Sequence, residues 1–203
     1  MKQILCFGDS NTYGYIPGGA GRYPFDVRWT GVLSQRLGAE YHIAEDGLVG
    51  RTTVFREQLQ SGRVGADALP KSLATCLPDI LILMLGTNDC KAEFGASAQN
   101  IADGMLRLTA MAEQLCPGVK IILAAPAPLH EVVLSEGISD YNEQSYTVSH
   151  KLAEVYRAAA RKKGYGFVDV GCCAVASPVD GEHLAPEHHT AIADALYREV
   201  LRL

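Results

Sequence analysis

The sequence predicts an α/β fold in which a doubly wound parallel sheet carries helices on both sides. Five short apolar runs recur along the chain, at residues 3–7, 41–44, 80–85, 119–124 and 166–170. They are unbroken rather than alternating, the pattern of strands buried on both faces of a parallel sheet. Segments with helical spacing separate them, and strands alternating with helices imply right-handed crossovers and one three-layer α/β/α unit.

The elements follow in order. The first strand, 3–7, leads directly into Gly8-Asp9-Ser10-Asn11, a turn-forming run. Residues 27–33 suit a first helix, and the single Trp, Trp29, belongs in its core-facing surface. The strand 41–44 precedes Glu45-Asp46-Gly47, and the very apolar strand 80–85 precedes Gly86-Thr87-Asn88-Asp89. Ile101, Met105, Leu108, Ala112 and Leu115 share one helical face, and Pro117-Gly118 stops that helix before the strand 119–124. Leu152, Val155, Tyr156 and Ala159 mark another helix, ended at Gly164. The last begins at Pro186 and carries Ile192, Leu196 and Val200 on one face. Two segments, 16–22 and 126–140, fit no regular element, and such loops commonly wall a pocket or meet a neighbouring subunit.

Composition narrows the function. At 203 residues and 48% hydrophobic content, residues 1–203 suit a single domain with one core. A net charge of −5 without a Lys/Arg block argues against a nucleic-acid partner. No run approaches the ~20 apolar residues that span a bilayer, and the N-terminus enters the first strand without a leader-like segment. The six cysteines include no C-x-x-C pair and suit reduced, mostly buried thiols in a cytoplasmic protein; the adjacent Cys172 and Cys173 receive no role.

Ligands in doubly wound folds bind at the carboxyl ends of the strands. Ser10, Gly47 and Asn88 each follow a different strand, and Asp180-Gly181-Glu182-His183 follows the last. A serine hydroxyl is a poor nucleophile until a base takes its proton, and the base needs a carboxylate to hold its tautomer. Asp180 and His183, three residues apart, can meet within one tight loop while the far imidazole nitrogen faces Ser10. An Asn88 amide in its loop could donate to a developing oxyanion. Asp9 and Asp89 suit structural roles in their turns. His183, His188 and His189 do not form a convincing metal set, because adjacent helical residues point about 100° apart. His130-Glu131 begins an H-E-x-x-H pattern that lacks its second His. No metal and no cofactor is expected, and no G-x-S-x-G, Walker or G-x-G-x-x-G motif occurs.

The four blocks Gly8-Asp9-Ser10-Asn11, Gly47, Gly86-Thr87-Asn88-Asp89 and Asp180-Gly181-Glu182-His183 resemble, in order, those of the SGNH (GDSL-type) hydrolases. The stretches 26–33, 47–53 and 86–91 are similar to the arylesterase and acetyl-ester acyltransferase branch. The resemblance implies a flavodoxin-like five-stranded parallel sheet of order 2-1-3-4-5 and a serine esterase for short acyl esters. It also implies an oxyanion hole from the Ser10 and Gly47 N–H groups and the Asn88 side chain. The branch contains oligomers, so a homo-oligomer is a further expectation. Asn11, Tyr13 and Tyr15 depart from the apolar or Trp residues of that branch; as pocket residues they would favour hydroxylated esters and hydrolysis over acyl transfer. A thioesterase or lysophospholipase with the same triad, and a non-catalytic flavodoxin-like binding module, stay open as alternatives.

Overall fold

The computed structural model describes residues 1–19, 21–56, 62–135 and 140–203. Five strands, β1 (Lys2–Gly8), β2 (Tyr41–Gly47), β3 (Ile80–Met84), β4 (Lys120–Ala125) and β5 (Gly166–Asp169), pair in parallel in the order β2-β1-β3-β4-β5. The expected strand order holds. Seven helices occur among the described residues: α1 (Ser10–Tyr13), α2 (Trp29–Leu37), α3 (Gly65–Cys76), α4 (Ala98–Leu115), α5 (Glu143–Ser149), α6 (Leu152–Lys163) and α7 (Pro186–Val200).

The apolar strands divide by alternation even though their sequences do not alternate, because successive side chains leave a strand on opposite faces. Leu5, Phe7, Leu81, Leu83 and Leu123 meet Leu69 and Leu73 of α3, Met105 and Leu108 of α4, and Tyr156 of α6. Ile4, Cys6, Ile80, Ile82 and Ile122 meet Trp29 and Leu33 of α2 and Ile192 and Leu196 of α7. These are two helical layers on one sheet. Trp29 is fully buried in the second of them.

The expectation that all five strands are buried on both faces needs correction at the edges. β1 beyond its first two residues, β3, and β4 beyond Lys120 are buried, but β2 is half-exposed along most of its length and β5 alternates. Each edge strand has a single neighbour, and His42, Glu45 and Asp46 make β2 polar. The sequence signals α3 and α5 poorly. Pro70 lies inside α3, whose buried stripe is little more than Leu69 and Leu73, and α5 has only seven residues, begun by an Asn142/Ser145 capping box. The segment 16–22 holds a short 3-10 turn at Pro17–Gly19, and 126–140 holds another at Glu131–Leu134. Residue 20 of the first and 136–139 of the second lie outside the described residues.

Candidate active site

β1 ends at Gly8, and Asp9 caps α1 by accepting the Asn11 N–H at 3.0 Å, which places Ser10 at the first helical position above the sheet. At the other end of the chain, the Asp180–His183 loop folds on itself. Asp180 Oδ1 accepts the N–H groups of Glu182 (3.2 Å) and His183 (3.1 Å). Ser177 accepts the Gly181 N–H and donates its own N–H to His183 O, both at 2.7 Å. Gly181 has φ 81°, and a Cβ there would lie 2.3 Å from Val133 Cγ1, so the turn requires glycine. His183 Nδ1 lies 2.9 Å from Asp180 Oδ2, and Nε2 lies 3.0 Å from Ser10 Oγ. With the carboxylate accepting from Nδ1–H, this network leaves Nε2 to accept from the serine hydroxyl.

Burial pushes the Asp180 carboxyl up, but hydrogen bonds from the His183 ring and from the Gly18 and His183 N–H groups outweigh it and hold the group well below the usual carboxylate range. For His183, burial opposes the charged form, while the Asp180 hydrogen bond and the charges of Glu182, Asp180 and Asp9 raise its pKa above the ordinary 6.5. Such an arrangement lets an imidazole take a proton from Ser10 and keep the resulting charge paired.

Ser10 and His183 open into a cleft of about 260 Å³ also lined by Tyr15, Gly50, Asn88 and Lys91. Asn88 donates one amide hydrogen to Arg51 O at 3.1 Å, which leaves the second for another acceptor. Tyr15 stacks on the imidazole, with ring centroids 4.5 Å apart. Lys91 pairs with Asp140 at 3.4 Å, and Glu182 Oε2 accepts from Tyr141 OH at 2.8 Å. Lys91, Asp140, Tyr141 and Glu182 are wall residues that spacing does not reveal, because they come from three separate loops.

Three expected site residues lie elsewhere. Gly47 does not line the cleft. Leu48 N–H bonds Gly8 O at 3.2 Å, and successive strand N–H groups point to opposite edges, so that of Gly47 points away from β1. Its glycine is needed for packing instead: a Cβ would lie 2.1 Å from Tyr13 N. Gly50, three residues on, occupies the wall, with φ 76°, a left-handed conformation that favours glycine. The same stretch of sequence contains both glycines, and only the end of β2 separates their positions. Asn11 is buried and donates to Glu182 O at 3.0 Å, tying the serine turn to the histidine loop. Tyr13 stacks under the Arg22 guanidinium, 4.2 Å from its ring centroid, outside the cleft. Asp89 accepts from the Thr53 N–H at 2.9 Å and from its hydroxyl, a structural use. His189 is fully buried and accepts the Trp29 N–H at 3.3 Å.

Residues 6–196 match the family model described as the GDSL-like lipase/acylhydrolase family. The chain belongs to this family. It is therefore a carboxylic ester hydrolase, and its sheet is that of the SGNH hydrolases. An aryl esterase of M. smegmatis is 37% identical with a TM-score of 0.92, each chain covered completely. A carbohydrate acetylesterase from Sinorhizobium meliloti is 34% identical with a TM-score of 0.93, covering 100% of this chain and 99% of the other. A member of the lipolytic G-D-S-L family from Veillonella parvula, at 18% identity and TM-score 0.71, shares the fold. No curated protein sequence matches the chain. No helix among the described residues is long and apolar enough to cross a membrane, and none of their His, Cys, Asp and Glu side chains group as a metal site.

Proposed function

We propose that the whole chain is one catalytic domain that hydrolyses short-chain, chiefly acetyl, esters of hydroxylated alcohols through an acyl-enzyme. The observation that carries this is the unbroken chain Ser10 Oγ, His183 Nε2, His183 Nδ1, Asp180 Oδ2, at 3.0 and 2.9 Å, opening on a small cleft. Ser10 attacks the ester carbonyl as His183 takes its proton, and Asp180 stays ionised and fixes the ring. The oxyanion is met by the Ser10 N–H, the free Asn88 amide hydrogen and the Gly50 N–H, which replaces Gly47 in this role. His183 then protonates the leaving alcohol. Water, activated by the same base, releases the acid.

A volume of about 260 Å³ supports a small acyl group rather than a long chain. Tyr15, Lys91, Asp140 and Glu182 give the cleft hydroxyl, ammonium and carboxylate groups suited to a polyhydroxylated leaving group, and the S. meliloti relative is named a carbohydrate acetylesterase. The same polar wall admits water, so hydrolysis outruns transfer to added alcohols. We further propose a homo-oligomer, since Leu134, Val175 and Val179 expose apolar surface on segments adjoining the histidine loop, and a reducing cytoplasmic setting, since all six cysteines are free.

The test is a panel of acetylated sugars, aryl acetates, longer acyl esters and acyl thioesters, assayed with the wild type and Ser10→Ala. Turnover is expected to fall steeply beyond butyrate and to drop to near background in Ser10→Ala with the fold intact. Substantial activity in Ser10→Ala would refute the serine mechanism, and a rising profile with chain length would favour a lysophospholipase or thioesterase.

A further inference from the structure

Arg51 is a buried arginine with no place in the acyl-enzyme chemistry, yet it touches every element that carries an oxyanion donor. Its Nη1 donates to Gly8 O at 2.9 Å and to Asp46 O at 2.6 Å, and Nη2 donates to Asp46 Oδ1 at 2.8 Å. Gly8 is the last residue of β1, two before Ser10, and Asp46 is next to last in β2, four before Gly50. One guanidinium thus spans the carboxyl ends of the two strands. It lies over Phe7, 4.1 Å from the ring centroid, with its side chain 4% exposed. Ser72 of α3 donates to the other oxygen of Asp46, so the acceptor is itself held.

The backbone of the same residue completes the arrangement. Arg51 N–H donates to Leu48 O at 3.1 Å, closing the turn that contains Gly50. Arg51 O accepts the Asn88 amide at 3.1 Å, which fixes which way the carboxamide faces. Oxyanion donors act only when they are already in place as charge develops. A point ammonium cannot make the planar fork across two carbonyls and a carboxylate.

We infer that Arg51 is the positioning residue of the oxyanion hole: its guanidinium locks the ends of β1 and β2 together, and its carbonyl aims the Asn88 amide into the cleft. The inference rests on the proposed roles of Ser10, Gly50 and Asn88. Arg51 touches no reacting atom, and its effect passes through those three groups. It leaves the His183–Asp180 pair untouched.

The experiment compares Arg51→Lys, Asn88→Ala and the double variant on p-nitrophenyl acetate, with kcat expressed per site titrated by a fluorophosphonate. Asn88→Ala is expected to lower kcat about 10²-fold or more. Arg51→Lys should lower kcat per titrated site about 10- to 100-fold, with KM within about threefold and the pH midpoint of the acid limb unmoved, because the lost interaction matters mainly in the transition state. The double variant should fall clearly short of the product of the two single losses, since part of what Arg51 positions is the Asn88 amide. A merely structural arginine would lower the titratable fraction and leave kcat per site alone. Wild-type kcat per site in Arg51→Lys, or losses that multiply in the double variant, would overturn the inference. Should Arg51→Lys not fold, Asp46→Asn takes its place with an expected fall of about 3- to 10-fold, and unchanged kcat there would count equally against it. If Asn88→Ala itself keeps wild-type kcat, the oxyanion assignment fails first, which separates that failure from this one.

Discussion

At the scale of single residues, the site sets the protonation state of one imidazole. Asp180 holds the His183 ring by its Nδ1–H, and the neighbouring carboxylate of Glu182 adds to the charge that favours imidazolium. A base works only when neutral. Since the His183 pKa is raised, activity should rise with pH through an apparent pKa above the ordinary imidazole value of about 6.5. Glu182→Gln removes one raising charge without touching the Asp180 bond, so a kcat/KM profile of that variant should show the acid limb moved to lower pH. An unmoved limb would mean that Glu182 does not act on His183 electrostatically.

At the scale of elements, the ends of β1 and β2 are joined by close backbone contact. Gly47 closes β2 directly under the backbone of α1. Gly47→Ala drives a Cβ to within 2.1 Å of Tyr13 N, and backbone cannot swing aside as a flexible side chain can. We predict a loss of about 1–3 kcal/mol in urea unfolding, the usual cost of overpacking, together with lower activity as α1 and Ser10 shift. Activity lost at unchanged stability would instead indicate a direct catalytic use of the Gly47 N–H.

For the whole molecule, buried acids under the site make stability depend on pH with a definite sign. Burial raises Asp9 to about 7 and Asp89 to about 6, and His183 is also raised. All three hold protons more tightly folded than unfolded, so their stabilisation is complete below the unfolded pKa and is lost as pH rises through the folded one. Asp180 has the opposite shift, but its contribution is lost only as pH falls below the ordinary carboxylate range. His189, lowered to about 4 by burial, stays neutral when folded but takes a proton when unfolded below its ordinary 6.5, so it opposes this trend as one group against three. The thermal midpoint should therefore be higher at about pH 5.5 than at about pH 8; calorimetry giving the reverse would show that the buried carboxyls are ionised at little cost. Light scattering at micromolar concentration should give a mass above one 21.8 kDa chain if the apolar surface beside the histidine loop is an interface.

The sequence by itself determined the architecture and the distant pairing that matters most. Unbroken apolar runs of strand length, separated by helical spacing, are set by local chemistry, and three-residue spacing is enough for Asp180 to reach His183. The place of Asn88 on the cleft, after the most apolar strand, was legible for the same reason. The helices α3 and α5 were not, since Pro70 and a seven-residue length leave too little periodicity. Only the tertiary structure puts Gly50 and not Gly47 on the cleft wall, because strand length and ladder register, which fix where an N–H points, depend on the neighbouring strand. The same holds for Asn11 and Tyr13, drawn away from the cleft by Glu182 O and Arg22. The wall of Lys91, Asp140, Tyr141 and Glu182, and the clamp at Arg51, join residues far apart in the chain. Asp180 and His183 could be read from their spacing and Ser10 from the strand end it follows, whereas the long-range polar contacts of the wall and the clamp leave no periodic trace.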